Sequence, residues 1–204
     1  SGWAEGYLEE RAIYDVQINS YYNNVLRQED LPQDTYDFVP TFLEARGIQI
    51  TQDRVFSLYL PEASQFHNRN KYDFPVVAVA LSDYNAIRQM LGYPPISLGA
   101  REFSTQWDAI STPEDQAAFL RNHPTLSTDA GTLSLAQDAL HTESMGETFY
   151  NLYTHVTYVL PDQVCHQLLP VMTKRYLATA HPIPYADAAA LQDAFSTHYP
   201  EQSL

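Results

Sequence analysis

Cysteine is almost missing from the chain: Cys165 stands alone among 204 residues, which excludes an internal disulfide and any multi-cysteine metal cluster. That scarcity leaves the compartment open, because a chain of this length buries a core that needs no covalent staple inside or outside a cell. Glycine is also scarce, with seven residues. Neither the dinucleotide-binding nor the P-loop glycine pattern occurs, so the chain has no phosphate cradle of either kind. Positive charge is short as well. Eleven Lys plus Arg face twenty-five Asp plus Glu, giving a formal charge of −14. A field of that sign repels phosphate backbones and anionic headgroups, which argues against nucleic-acid binding and against attachment through a basic patch. Finally, the longest apolar runs, such as 76–81, fall far below the ~20 residues that cross a bilayer. No signal peptide is visible, and Ser1-Gly2 has the look of a cloning scar, so the chain is expected to be an excised piece of something longer.

What remains is an ordinary globular composition, 45% hydrophobic and 18% charged, enough for one large domain or two small subdomains. Residues 3–11 read as a short acidic helix carrying Trp3, Tyr7 and Leu8. Tyr14, Val16 and Ile18 alternate with polar residues, the period of a half-buried strand, and the stretch from Tyr21 through Asp37 reads as loop. A helix is predicted over 37–46, with Phe38 beside Phe42 and Val39 beside Leu43, Pro40 confined to its first turn and Gly47 as its left-handed stop. Residues 48–50 and 54–60 follow as a hairpin or paired strands, with Phe56, Leu58 and Leu60 on one face.

The clearest unit spans 76–92. Residues 76–81 are apolar on both faces, hence a central strand, and feed a helix that starts with Ser82 as N-cap and Asp83 in its first turn. Tyr84, Ile87 and Leu91 form its buried stripe and Gly92 ends it. Thr112-Pro113 opens another helix that runs to Asn122. The turn Asp129-Ala130-Gly131 precedes a strand. Residues 158–162 then repeat the earlier design, Tyr158-Val159-Leu160-Pro161-Asp162 corresponding to Val79-Ala80-Leu81-Ser82-Asp83, with Val164 and Leu168 as the helix stripe and Pro170 as its end. Residues 176–180 read as a strand, and Tyr185, Ala188, Leu191 and Phe195 as the stripe of a closing helix. The pattern implies an α+β fold, a mixed sheet covered by helices. Its main lobe is drawn over 1–92 and 147–204 around the two strand-to-helix units, and the Ser-, Thr- and Gly-rich residues 93–146 are drawn as a smaller inserted subdomain.

No constellation carries an obvious reaction. His67, His123, His141, His155, His166, His181 and His198 include no i, i+4 pair and have no cysteine pairs beside them, so scattered histidines are expected rather than a zinc site. Cys165 lies near a helix start, where a dipole could lower its pKa, but neighbours on a helix point about 100° apart and His166 cannot easily serve as its base. A structural thiol beside Val164 and Leu168 is the expected reading. There is no Gly-x-Ser-x-Gly elbow. Convergent carboxylates for glycoside hydrolysis are compatible with any acidic chain and single out none. Asn68, Asn70 and Asp73 could approach a calcium ion but lack the glycine and terminal glutamate of an EF-hand loop, so a solvated loop is expected. Fifteen tyrosines include Tyr21, Tyr22 and Tyr72 outside the apolar stripes, rings that could stack on sugars or peptides and more ordinarily anchor loops. No catalytic, cofactor or metal residue is therefore assigned. Ser82 and Asp83 are singled out for helix-start architecture, not for chemistry.

The segment 74–92, with Leu81-Ser82-Asp83-Tyr84-Asn85 followed by Arg88, Leu91 and Gly92, resembles a stretch in the large extracytoplasmic domains of FtsX-like ABC transporter permeases of Gram-positive bacteria. Tyr14-Asp15-Val16 is similar to the strand that follows a first membrane helix there, and Tyr158-Val159-Leu160-Pro161-Asp162 adds a third piece. The resemblance implies a two-lobed, MacB-like α+β domain on the extracellular side of a cell membrane, looped out between transmembrane helices, with no hydrolytic activity and no cofactor. ATP would be bound by a separate cytoplasmic ATPase subunit, and a second permease copy or an extracellular peptide or cell-wall protein could complete the assembly. A domain tethered at both ends to one membrane must present both termini on one side, so the 3–11 helix and the chain after Phe195 are expected to be neighbours. The competing expectations are a secreted binding module for peptides or cell-wall glycans and, behind it, a cell-wall hydrolase.

Overall fold

The computed structural model describes residues 13–17, 33–64, 77–107, 112–145 and 156–198. Among them it is α+β, with strands β1 (Ile13–Gln17), β2 (Ile50–Leu60), β3 (Ala78–Ala80), β4 (Glu102–Trp107), β5 (Thr125–Thr128), β6 (Gly131–His141), β7 (Val156–Leu160) and β8 (Leu169–Thr179). The helices are α1 (Gln33–Ala45), α2 (Leu81–Leu91), α3 (Pro113–Asn122), α4 (Asp162–Cys165) and α5 (Tyr185–His198). None is long and apolar enough to cross a membrane. The expected 3–11 helix, Ile18, Tyr21, Tyr22, His67, Asn68, Asn70, Tyr72, Asp73 and His155 lie outside the described residues.

The chain divides into two compact units, 1–57 with 171–204, and 58–170. Residues 93–146, set apart by composition, hold β4, α3, β5 and β6 and belong to the second unit. Strand β2 contributes residues 50–57 to the first unit and 58–60 to the second.

In the first unit the strand order is β1-β8-β2, with β1 antiparallel to β8 in the register Ile13↔Ala178 to Gln17↔Lys174. Helices α1 and α5 share one apolar cluster, Val39, Leu43, Leu177, Ile183, Ala188, Leu191 and Phe195, with Phe38 and Phe42 packed against it. Helix α1 begins four residues before the predicted start, so Pro40 lies inside it and forfeits the bond its missing N–H would make to the Tyr36 carbonyl. The buried Val39 and Leu43 stripe offsets that loss. Gly47 ends the helix as expected, at φ 74°. Its N–H reaches the Glu44 carbonyl and that of Ile48 reaches Leu43, a Schellman pair closed by Ile48 packing on the cluster. Tyr185, placed in the α5 stripe by its spacing, is 59% exposed; the helix buries Ala188, Leu191 and Phe195 instead.

In the second unit the order is β2-β3-β7-β4-β6-β5. The two strand-to-helix units are neighbours: β3 and β7 run parallel, with Ala78↔Tyr158, Val79↔Val159 and Ala80↔Leu160. The sequence correspondence is offset by one residue from this register, which matters because a one-residue slip exchanges the faces of a strand. Antiparallel contacts flank the pair, β2 against β3 and β4 against β7. The apolar core here gathers Ala78, Ala80, Phe103, Leu133, Tyr158, Leu160, Val164, Cys165 and Leu168.

Three further readings are corrected. Residues 50–60 form one strand rather than a hairpin: Asp53 is the only turn-forming residue between the two predicted segments, with no glycine, proline or asparagine beside it. Helix α4 is a single turn, and Pro170 sits inside β8 instead of ending a helix. Helix α2 starts at Leu81 with Ala80 as its N-cap and no side-chain cap of its own, so Ser82 is not the cap; the Ser82 N–H is bound at 3.0 Å by Oδ1 of Asp162, from the first turn of α4. A carboxylate from one strand-to-helix unit thus caps the helix of the other.

Candidate functional site

The most concentrated chemistry in the described residues is a buried polar cluster where α2 meets β4 and the segment after β6, all within the second unit. It starts from the α2 stripe. Tyr84, Ile87 and Leu91 are buried as their spacing requires, and Arg88, four residues after Tyr84, falls on the same face and is 2% exposed. A guanidinium cannot shed its charge, so its burial demands partners. Nη2 donates to Glu143 Oε1 at 3.0 Å, Nε to the Pro94 carbonyl at 2.6 Å and Nη1 to the Tyr84 hydroxyl at 3.5 Å. The rings of Tyr84 and Tyr93 each lie 5.6 Å from its Cζ.

Tyr84 in turn donates to Gln106 Oε1 at 2.5 Å, and Gln106 Nε2 donates to the carbonyls of Trp107 and Glu143 at 3.0 and 2.9 Å. The Tyr93 hydroxyl donates to the Ser144 carbonyl at 3.0 Å. Asn85 holds both polar groups of the Ile96 backbone, each at 2.9 Å. Two loops, 93–101 and 142–145, are thereby clasped to one helix, with Arg88 touching both.

A wide bulge makes this geometry possible. Strands β4 and β6 pair in parallel as Phe103↔Leu135 and then as Thr105↔Leu140, so two steps on β4 answer five on β6. The Ala139 carbonyl in the bulge accepts from the buried hydroxyls of Ser104, at 3.2 Å, and Thr105, at 2.5 Å, and Thr105 also accepts from Trp107 Nε1. These hydroxyls restore bonds the interrupted ladder lacks.

Electrostatically the cluster is a locked pair. Burial works against the Arg88 charge, but its hydrogen bonds to Glu143 and Tyr84, with the charge interactions of the same two groups, outweigh it and raise its pKa. The bond from Arg88 holds the Glu143 carboxyl below its ordinary value against burial. Burial pushes the Tyr84 hydroxyl well above the usual phenol, with Arg88 only partly opposing. His141, 7% exposed with its ring 6.3 Å from that of Tyr84, is lowered first by burial and then by the Arg88 charge. Among the described residues, His141 Nε2 and Glu143 Oε2 are buried without a hydrogen-bond partner.

The sequence-nominated residues fall elsewhere. Cys165 is fully buried in the apolar cluster with Val164 and Leu168, and burial pushes its thiol pKa up, the reverse of what a nucleophile needs. His123, His166, His181 and His198 are exposed, and His123 stacks on Phe119 with ring centroids 4.2 Å apart. Asp83 sits in the first turn of α2 as expected. Among the described residues no three His, Cys, Asp or Glu side chains gather where they could hold a metal ion. Tyr158 packs edge-on against Phe103 at 5.7 Å, its hydroxyl pushed up to about 12 by burial. Sequence reasoning missed Arg88, Gln106, His141 and Glu143 as a group. The signal for Arg88 was present, a cation four residues from Tyr84 and three from Leu91 inside an apolar stripe; its partners lie in a distant segment that no spacing connects.

No protein-family model matches the chain, and no characterised protein matches it.

Proposed function

We propose that this chain is a non-catalytic extracellular domain of an ABC transporter permease of the FtsX-like, MacB-like kind. In this reading its two compact units are the two lobes of such a domain. It stands on the outer side of the cell membrane between its own transmembrane helices, and a separate cytoplasmic ATPase subunit supplies the driving motion. The observation that carries the proposal is that β1 and α5, the described elements nearest the two ends of the chain, belong to one compact unit. Tethers continuing from both ends would pull on the same body. The resembling segment supports the reading as well: Tyr84, Ile87, Arg88, Leu91 and Gly92 build the stripe, the clasp and the cap of α2, so the motif has a structural role that needs no bound cofactor. A close-packed body transmits displacement instead of absorbing it, which suits a lever that couples ATP-driven motion to export, peptide resistance or a cell-wall partner.

The test is the parent reading frame and its product. Apolar spans of ~20 residues on both sides of these 204 residues, with the intact product in the membrane fraction and an ATPase subunit co-purifying with it, are expected. A signal peptide followed by no span overturns the proposal in favour of a secreted binding module.

A further inference from the structure

His141 occupies an unusual place at the end of β6. It pairs with Gln106 across the sheet, is almost fully buried, and lies beside Tyr84 at the edge of the Arg88–Glu143 pair. Its ring is hydrogen-bonded to the main chain of Asp138, while Nε2 has no partner among the described residues. A neutral imidazole with one donor and one idle lone pair fits that pocket; an imidazolium, with two donors, does not. Among the described residues, the charged or titratable groups that face it are Arg88 and Tyr84 from α2, Glu143 from the segment after β6 and Asp138 from β6 itself. Its register partner on β4, Gln106, is uncharged.

We infer that His141 is an acid-operated release for the clasp that holds loops 142–145 and 93–96 against α2. A proton on Nε2 places a second cation beside a guanidinium already buried and fixed, and in the closed arrangement Nε2 makes no hydrogen bond to the buried Oε2 of Glu143. Of the two carboxylates that face His141, Asp138 is exposed and Glu143 gives its Oε1 to Arg88 at 3.0 Å. Opening lets His141 reach water and draws out the segment that carries Glu143. The sign follows from burial and the Arg88 charge together outweighing the pull of Glu143 and Asp138. The closed state therefore binds fewer protons at His141 than the open one. Closure is favoured above the ordinary histidine value near ~6.5 and weakens as pH falls below it. The Glu143 carboxyl, held below its ordinary value, loses its own contribution only at still lower pH, so the two events separate.

Hydrogen exchange on the 204-residue chain, corrected for the intrinsic pH dependence of exchange, tests the release. Opening of 142–145 and 93–96 is expected to be more frequent at pH 5.5 than at 7.5, by at most about tenfold, the limit for a histidine that stays neutral while closed and regains its ordinary pKa on opening. His141→Gln, neutral at both values, should remove the difference while the exposed histidines remain. NMR titration of the unmodified ring guards against a variant that fails to fold: a His141 signal that is neutral at pH 6 and broadens with the 142–145 amides below it supports the release. A His141 that titrates at or above 6.5 with those amides unmoved, or an unchanged acid response in His141→Gln, overturns it.

Discussion

Breaking the Arg88–Glu143 pair should be unequal from its two ends. Arg88 is 2% exposed, whereas the Glu143 side chain is 38% exposed. Removing the acid by Glu143→Ala strands a guanidinium that cannot deprotonate, leaving it the Pro94 carbonyl and a long contact to Tyr84. Loss of one partner of a buried pair costs about 3–5 kcal/mol, and the lower end of that range is expected here because the Glu143 side chain is 38% exposed and water can enter where it stood. Removing the base by Arg88→Met keeps the buried volume nearly filled, and Glu143, whose side chain is 38% exposed, can swing its carboxylate out to water. The main residual penalty is the orphaned Pro94 carbonyl, about 1–3 kcal/mol. The double variant then lacks both charges and should be less destabilised than Glu143→Ala alone, a coupling of at least about 1 kcal/mol in a double-mutant cycle. Urea unfolding followed by circular dichroism and tryptophan fluorescence reads the four midpoints. Equal losses from both ends, or strict additivity, would show that the pair is not buried and shared in the way described.

Asp162→Ala should lower stability by about 1 kcal/mol, since it removes the carboxylate that caps α2 at the Ser82 N–H, while Ser82→Ala should stay within about 0.5 kcal/mol because that hydroxyl is not the cap. The same urea titrations separate them, and a larger loss at Ser82 would refute the assignment. Gly131→Ala should destabilise by more than about 1 kcal/mol, because φ is 102° and a methyl group there collides with the Arg101 guanidinium that binds the carbonyls of Ala130 and Thr132. Thermal melting checks it, and a neutral result would mean that the hairpin turn is not held by Arg101. Cys165 should resist a thiol reagent in the folded chain and react once urea unfolds it, since its thiol is buried with its pKa raised. Fast labelling of the folded chain would contradict that burial.

Where local rules suffice, sequence and structure agree in detail. Gly92 ends α2 at φ 82°, with its own N–H and that of Tyr93 on the carbonyls of Gln89 and Arg88, as a glycine after an apolar stripe implies. Thr112 accepts from the Asp115 N–H at 3.1 Å ahead of Pro113, the cap its position announces. The Asp129-Ala130-Gly131 turn joins β5 to β6. Disagreement begins where a second segment intervenes. Ser82 had the right side chain for a cap, yet Asp162, eighty residues on, holds that N–H, because the parallel pairing of β3 with β7 brings the two helix starts together.

Composition, charge and periodicity by themselves settled the α+β class, the strand-to-helix step at 78–92, the glycine stops at Gly47 and Gly92 and most of each apolar stripe, since each depends on residues within a turn or two of one another. The strand order, the five-against-two bulge between β6 and β4, and the meeting of Arg88 with Glu143 were decided only by the tertiary fold. A buried cation announces its need for a partner in the local pattern, but which carboxylate answers depends on long-range packing, and short-range periodicity carries no record of that.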